Sequence, residues 1–448
     1  MLQKIMVRSF LIFLLLLSKA EATTLLQVYQ DAFCYDPTFR EAIAQEFADA
    51  EGVPISLANL LPSAAVAYNP AITRNIVGGP GAEQGTNTTH GYQVNLTLTQ
   101  VIFDYSKIAN LAIAKDVKRQ AFATLNAATQ DLQIRVAKAY FAVLADEDIL
   151  LSAGSTKEAF AKQLEQIKEE YKVGIKTITD VYTARASYEN SDADYIAAQT
   201  KLADDRENLR AITGILYCHL APLNKKFPLI SPKPNCIESW VQTAHIQNWS
   251  IKAAEFAKCA AMENIKQQAA GHLPTISAQG QYGINYTRNT GDPVTFFAPR
   301  GTSKIHNSSV NVNVEFPLFE GGGVVAKTDQ AKYEYMVSCQ KLEKQIRDIS
   351  NLARQSFLGV ILGINKINAD IQTIEATEQS VKGMEASYKI GIGTLVDVLN
   401  QRQKVFQAER QYAVDRYDYV NNLLSLKLAA GTLSDQDLAA INAWLQCV

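Results

Sequence analysis

Hydrophobic and polar residues alternate with period two in four segments of the chain, grouped as two pairs. Tyr92, Val94, Leu96 and Leu98 alternate with Gln93, Asn95, Thr97 and Thr99, and Val310, Val312, Val314 and Phe316 with Asn311, Asn313 and Glu315. Period two marks a strand with one apolar and one polar face. Partner segments precede each: Ser63–Tyr68, and Thr275–Tyr286 with Ile276, Ala278, Tyr282 and Ile284 on its apolar side. The stretches joining the partners, Asn69–His90 and Thr287–His306, are rich in Gly, Asn, Thr and Pro and read as loops. Two long-looped hairpins are predicted, over about 61–103 and about 273–318.

After each hairpin the apolar spacing lengthens to three and four residues, as in Leu132, Val136, Tyr140 and Val143. Two proline-free helices are predicted, over about 106–172 and 323–389. At 1.5 Å per residue each is roughly 100 Å long, which suits coiled or tubular packing and no compact globule. Gly174 and Gly391 stand where glycine ends helices. Thr177 and Thr394 then cap shorter return helices near 177–212 and 394–430, with Asp180 and Asp397 at their positive ends. Helical patterns at 25–58 and 238–271 supply further lengths of wall.

The recurrence is a true repeat. Shifted by 217 positions, Tyr171–Gly214 matches Tyr388–Gly431 without gaps, sharing Tyr-Lys-x-Gly-Ile-x-Thr-x-x-Asp-Val. Leu61-Pro62 answers Leu273-Pro274 further upstream. The boundaries follow: a leader at 1–22, a first repeat at 23–214, a linker at 215–238, a second repeat at 239–431 and a C-terminal segment at 432–448.

The leader reading rests on Lys4 and Arg8 before the apolar run Phe10–Leu17, then Ala20-Glu21-Ala22, with cleavage after Ala22. A retained anchor is the other reading, and the run is far short of the roughly 20 residues a spanning helix needs. Cleavage removes three of 43 basic and one of 45 acidic side chains, leaving 40 against 44 and a formal charge of −4. Nucleic acid as a partner gets no support from that balance. The six cysteines include no CxxC. Cys218 and Cys236 flank a Pro-containing connector, and both a bridge between them and two unpaired thiols stay open.

Chemistry beyond this is sparse. The five histidines are scattered, without HExxH or a zinc spacing, so neither catalytic residues nor a cofactor or metal site is expected. Gly321-Gly-Gly323 lacks the lysine of a phosphate loop and reads as a joint between strand and helix.

If the strands enter a membrane they must close into a barrel, because hydrocarbon leaves no partner for an open edge. Four strands are too few for one chain to close, since about eight are needed around a packed interior. Several copies must then share one barrel. Tyr68, Tyr92, Phe103, Tyr282, Phe316 and Phe319 near strand ends suit an aromatic girdle. A soluble β-domain on a coiled coil is the bland alternative.

Six separated motifs carry a resemblance: Thr24-Leu-Leu-Gln-Val-Tyr-Gln30, Leu98–Asp104, Ile212-Thr-Gly214, Gly271–Pro274, Gly391–Val398 and Gly431–Leu438. Together they resemble the TolC family of outer-membrane efflux channels over nearly the whole mature chain. The resemblance implies a homotrimer in outer-membrane lipid. Its four strands per chain would make a 12-stranded β-barrel, and its helices a periplasmic α-helical barrel with an equatorial belt built partly from the linker and C-terminal segment. It also implies a passive exit duct for drugs or type I secreted proteins. Inner-membrane transporters of the RND or ABC type would recruit it through periplasmic adaptor (membrane fusion) proteins.

In that family the periplasmic entrance is closed by contacts among the helical turns and carries aspartate rings. By position, Asp397 matches the first ring aspartate and Asn400 replaces the second. Tyr388 matches the gate tyrosine, with Thr179 and Asp180 as its partners on the other copy. The gate arginine falls on Gly393, opposite Lys176 of the first copy. A Tyr388–Asp180 hydrogen bond is therefore expected to survive, and an arginine clamp is not. An adhesin-like outer-membrane protein and a soluble periplasmic adaptor are the competing functions. The first would leave export untouched, and the second would not need membrane-length strands.

Overall fold

The alternating segments pair as one antiparallel sheet in chain order, β1 (Ser63–Val77), β2 (Gly85–Phe103), β3 (Thr275–Gly291) and β4 (Gly301–Glu315). This is seen in a computed structural model that describes residues 22–77, 85–224, 226–291 and 301–446. The leader lies outside the described residues except for Ala22, as does Cys447.

Register runs from Ser63 opposite Thr99 to Val77 opposite Gly85, and from Thr275 opposite Glu315 to Asn289 opposite Gly301. The strands therefore reach well into the stretches read as loops. Cross-strand hydrogen bonding outweighs the weak strand preference of Asn, Gly and Pro there. Pro70 sits in β1, whose outer edge is unpaired and so tolerates a missing donor. Even-numbered residues share one face, and Val66, Tyr68, Leu96, Leu98, Val310 and Val312 on it are exposed.

The helices are α1 (Leu25–Tyr35), α2 (Pro37–Ala50), α3 (Gly52–Ala58), α4 (Tyr105–Lys172), α5 (Ile178–Thr213), α6 (Ile237–Gln247), α7 (Trp249–Ala269), α8 (Gly323–Lys389), α9 (Leu395–Ala429) and α10 (Asp435–Asn442). Each segment read as one helix at 25–58 and 238–271 is interrupted. Asp36 and Asn248 both adopt extended backbone (ψ 118° and 125°), and each turns its side-chain oxygen onto the next helix. Asp36 accepts from the Phe39 N–H at 3.0 Å, and Asn248 from Ser250 at 2.9 Å. Both are N-caps in the middle of an apolar pattern. Among the described residues no helix is long and apolar enough to cross a membrane.

The chain divides into two compact units. One holds Gln45–Phe122 and Ala253–Glu343 and contains the sheet. In it Gln100 donates to the Leu60 carbonyl at 2.9 Å. Gly321 and Gly322 at φ 62° and 83° turn the chain from β4 into α8.

The other unit holds the chain up to Ala44, Ala123–Lys252 and the chain from Lys344. Its core joins Leu25, Val28 and Ala32 of α1 to Leu132, Val136 and Tyr140 of α4 and to Tyr417, Tyr419 and Val420 of α9. The linker is pinned to this core by polar contacts. The buried Tyr140 hydroxyl donates to the Ala221 carbonyl at 2.8 Å, and the Tyr419 hydroxyl accepts from the Ile230 N–H at 2.7 Å. Thr23 bridges Leu220, and Leu223 bridges Leu445. Cys218 and Cys236 are free and exposed, so the linker is held by backbone pairing and tyrosine hydroxyls where a disulfide was one of two readings.

Candidate channel entrance at the helical turns

The two turns at the helix ends are built alike, as their repeated sequence requires. Gly174 and Gly391 adopt φ 80° and 81°, the left-handed backbone that lets a helix close on itself. The Ile175 N–H then reaches the Glu170 carbonyl at 2.9 Å, and the Ile392 N–H reaches Ser387 at 3.0 Å. Thr177 and Thr394 follow in extended conformation and start α5 and α9 with reciprocal capping boxes.

In the first box Asp180 Oδ2 accepts from the Thr177 N–H at 3.0 Å and from its hydroxyl at 2.8 Å. In the second, Asp397 Oδ2 accepts the same pair from Thr394 at 3.2 and 2.6 Å. These donors favour the ionised carboxylates. The Thr394 hydroxyl and N–H hold Asp397 below its ordinary range. The Thr177 N–H and hydroxyl do the same for Asp180, with a smaller contribution from the Lys176 charge. Asp397 and Asn400 are both exposed, one turn apart on α9.

The expected Tyr388–Asp180 hydrogen bond is not made. Asp180 is engaged by its own cap, and among the described residues the buried Tyr388 hydroxyl meets no carboxylate. Instead the Lys176 ammonium lies over the Tyr388 ring, 4.2 Å from its centroid. Thr179 contributes only a carbonyl, which accepts from the Thr183 hydroxyl within α5. Tyr388 is thus tied to the other copy by a cation over its face. Position alone could not reveal this contact, though the mismatch of Lys176 with Gly393 was its signal.

Beneath the turns Phe160, Leu164 and Ile167 of α4, Ala184 of α5, and Leu395 and Leu399 of α9 form a buried cluster against which Tyr388 packs. Arg402 of α9 pairs with Glu385 of α8 at 2.6 Å. At Gly393 an added Cβ would stand 3.2 Å from the Tyr388 amide nitrogen and 3.4 Å from Ser387. A larger residue there requires the turn to give by a few tenths of an ångström.

The family described as outer membrane efflux protein matches residues 28–215 and 240–432. The outer membrane protein TolC of Vibrio cholerae is 32% identical over 427 residues, spanning 95% of this chain and 94% of that protein. The alkaline protease secretion protein AprF of Pseudomonas aeruginosa is 25% identical over 449 residues, spanning 98% and 91%. Among solved structures the Campylobacter jejuni CmeC outer membrane channel aligns with a TM-score of 0.78 at 16% identity, covering 94% of this chain and 90% of that one.

Proposed function

The chain belongs to the outer membrane efflux protein family, and we propose that inner-membrane transporters discharge their cargo through it by way of periplasmic adaptor proteins. It is an outer-membrane exit duct with a long periplasmic helical extension, a role shared by efflux and secretion. The observation that carries the reading is the sheet, with two open edges and one exposed apolar face. Along β3 that face runs from Ile276 to Tyr286, which matches the roughly 9–11 residues of a tilted membrane strand. Open edges are tolerated in hydrocarbon only when they pair, and three chains supply twelve strands in one closed barrel.

One relative is named for alkaline protease secretion and another for toluene efflux, so small molecules and secreted proteins are both candidate cargo. Deleting the gene is expected to sensitise cells to detergents and dyes, measured as a fall in the inhibitory concentration. Unchanged sensitivity together with lost surface attachment would favour the adhesin-like reading.

The helical turns serve as the periplasmic gate in this reading. Asp397 lines the entrance, and Lys176 on Tyr388 latches the two copies within each protomer. Glycine at 393 removes the clamp position, and asparagine at 400 removes one ring of charge. This entrance is accordingly less tightly latched and less cation-selective than one carrying both. In planar bilayers Asp397→Ala is expected to lower the preference for cations over anions, and an unaltered reversal potential would remove Asp397 from the pore.

A further inference from the structure

The outward face of the sheet carries a second zone that the duct does not use. Its rows are fixed by register: Tyr68, Val94, Ile284 and His306 lie across from one another, then Pro70, Tyr92, Tyr286 and Lys304, then Ile72, His90, Arg288 and Thr302. Arg74, opposite Thr88, follows. Toward the helices the same face is apolar, with Val66, Leu96, Leu98 and Val310. Within two rows it changes from aliphatic to basic.

The boundary is aromatic. Tyr92 stacks on Tyr286 with ring centroids 5.1 Å apart, Tyr68 lies 5.9 Å from Tyr92, and the Tyr282 hydroxyl shares a hydrogen bond with His306 Nδ1 at 2.9 Å. Over these rows lies a depression of about 760 Å³ lined by Pro70, Ile72, His90, Tyr92, Tyr286 and Arg288. The four strands contain one acidic residue, Glu315, at the helix-proximal end of β4. Among the described residues Arg74, Arg288 and Lys304 have no carboxylate partner, and all are exposed.

We propose that this zone binds the phosphate-bearing headgroup of an acylated lipid of the outer leaflet. The assignment rests on the membrane placement of the strands. The hairpin ends lie opposite the ends that lead into the periplasmic helices, so the basic rows stand at outer-leaflet headgroups. Tyrosines at the boundary of an apolar band favour that depth. Arg288 presents a planar donor fork that fits phosphate bidentately, and Lys304 adds a point charge one row away. Unpaired cations held on neighbouring rows repel one another, and a phosphate between them relieves that repulsion. The acyl chains of the same lipid cover Val66, Leu96 and Val310, which no part of the described chain covers.

The test uses the intact detergent-solubilised trimer and native mass spectrometry with three probes: bisphosphorylated lipid A, the same lipid with its phosphates removed, and inorganic phosphate. The wild type is expected to bind the bisphosphorylated lipid about tenfold or more tightly than the dephosphorylated one, the scale of two lost charge-assisted contacts. Arg288→Gln with Lys304→Gln should abolish that difference while leaving binding of the dephosphorylated lipid unchanged. Lys304→Gln alone should reduce it, which serves as the test if the double variant does not assemble. Equal binding of the two lipids by the wild type, or an unaltered preference in the variants, would overturn the proposal. Complete competition by inorganic phosphate would overturn it too, as a phosphate site without a lipid. A trimer that inserts and conducts yet ignores the phosphates leaves the duct intact, whereas a protein absent from outer membranes sinks the placement itself.

Discussion

Alanine at Gly431 is expected to destabilise the protein by about 3 kcal/mol or more, while alanine at Gly214 costs about 1 kcal/mol. The two glycines are repeat partners and share the left-handed backbone, at φ 71° and 73°. An alanine at either must accept that strain. They differ in what a methyl group would meet. At Gly214 nothing stands within 4 Å, whereas at Gly431 the added Cβ falls 2.6 Å from the Gln247 carbonyl carbon and 2.7 Å from the Asn248 amide nitrogen and Cα.

These are main-chain atoms at the joint between α6 and α7, and they cannot swing aside as a flexible side chain would. Asn248 is itself fixed, donating to the Ala429 carbonyl at 3.0 Å, and the Gly431 carbonyl accepts from Gln130 of α4 at 3.1 Å. The methyl group must therefore part three elements at once. Denaturant midpoints and the yield of heat-resistant trimer for the two variants should separate widely. Equal losses at both positions would show that backbone strain alone matters and that the close approach is not rigid.

The same residues show what sequence makes legible. Glycine at 174 and 391 marked helix ends because only glycine adopts positive φ without penalty, a local rule that needs no tertiary knowledge, and Gly214 and Gly431 obey it too. Thr177 and Thr394 with aspartate three residues on were legible as caps for the same reason. The break at Asp36 had a signal, since the residue before a proline is pushed out of the helical region. The break at Asn248 had none of that kind, and it exists because the Leu428 and Ala429 carbonyls at the end of α9 meet its amide. Strand length was underestimated because loop-like residues at 70–77 and 85–90 gain their order from partners across the sheet. The Lys176–Tyr388 contact joins residues on different copies of the repeat, and no spacing encodes it.

Aspartates on inward faces were also invisible to periodicity, and they set the second large effect. Asp146 follows Val143 and Leu144 on the buried side of α4 and stands against Asp205 of α5. Burial first, then Asp205, pushes the Asp146 carboxyl up to about 7, against the charges of Lys201 on α5 and Arg410 on α9. Asp205 is held low despite its burial by Lys201, which bonds it at 2.8 Å, by the Asp146 hydroxyl and by Asn208. The buried Asp146 Oδ2 meets no donor. A carboxyl that keeps its proton and shares it with Asp205 accounts for that.

The second repeat builds the same arrangement one heptad nearer its turn, with Asp370 of α8 against Asp415 of α9. Burial and Asp415 push Asp370 up to about 6, against Lys366. Its Oδ2 likewise lacks a donor, and Asp418 of α9 is raised by burial and by Asp415.

An acid whose pKa rises on folding binds its proton more tightly in the native state. Its stabilising contribution is complete below the unfolded value and is lost as pH climbs through the folded one. The wild type should therefore lose stability between about pH 4 and about pH 7 from Asp146, while the lowered carboxyl of Asp205 acts only below about pH 4. Asp146→Asn places an amide donor where the shared proton stood. Near pH 3 the variant should match the wild type, and above about pH 8 it should exceed it by a few kcal/mol, with a higher denaturant midpoint. Asp370→Asn should act in the same direction over a lower and narrower range. Midpoints that fall in parallel for wild type and Asp146→Asn would mean that Asp146 is ionised in the fold, and its unpartnered oxygen would then need another explanation.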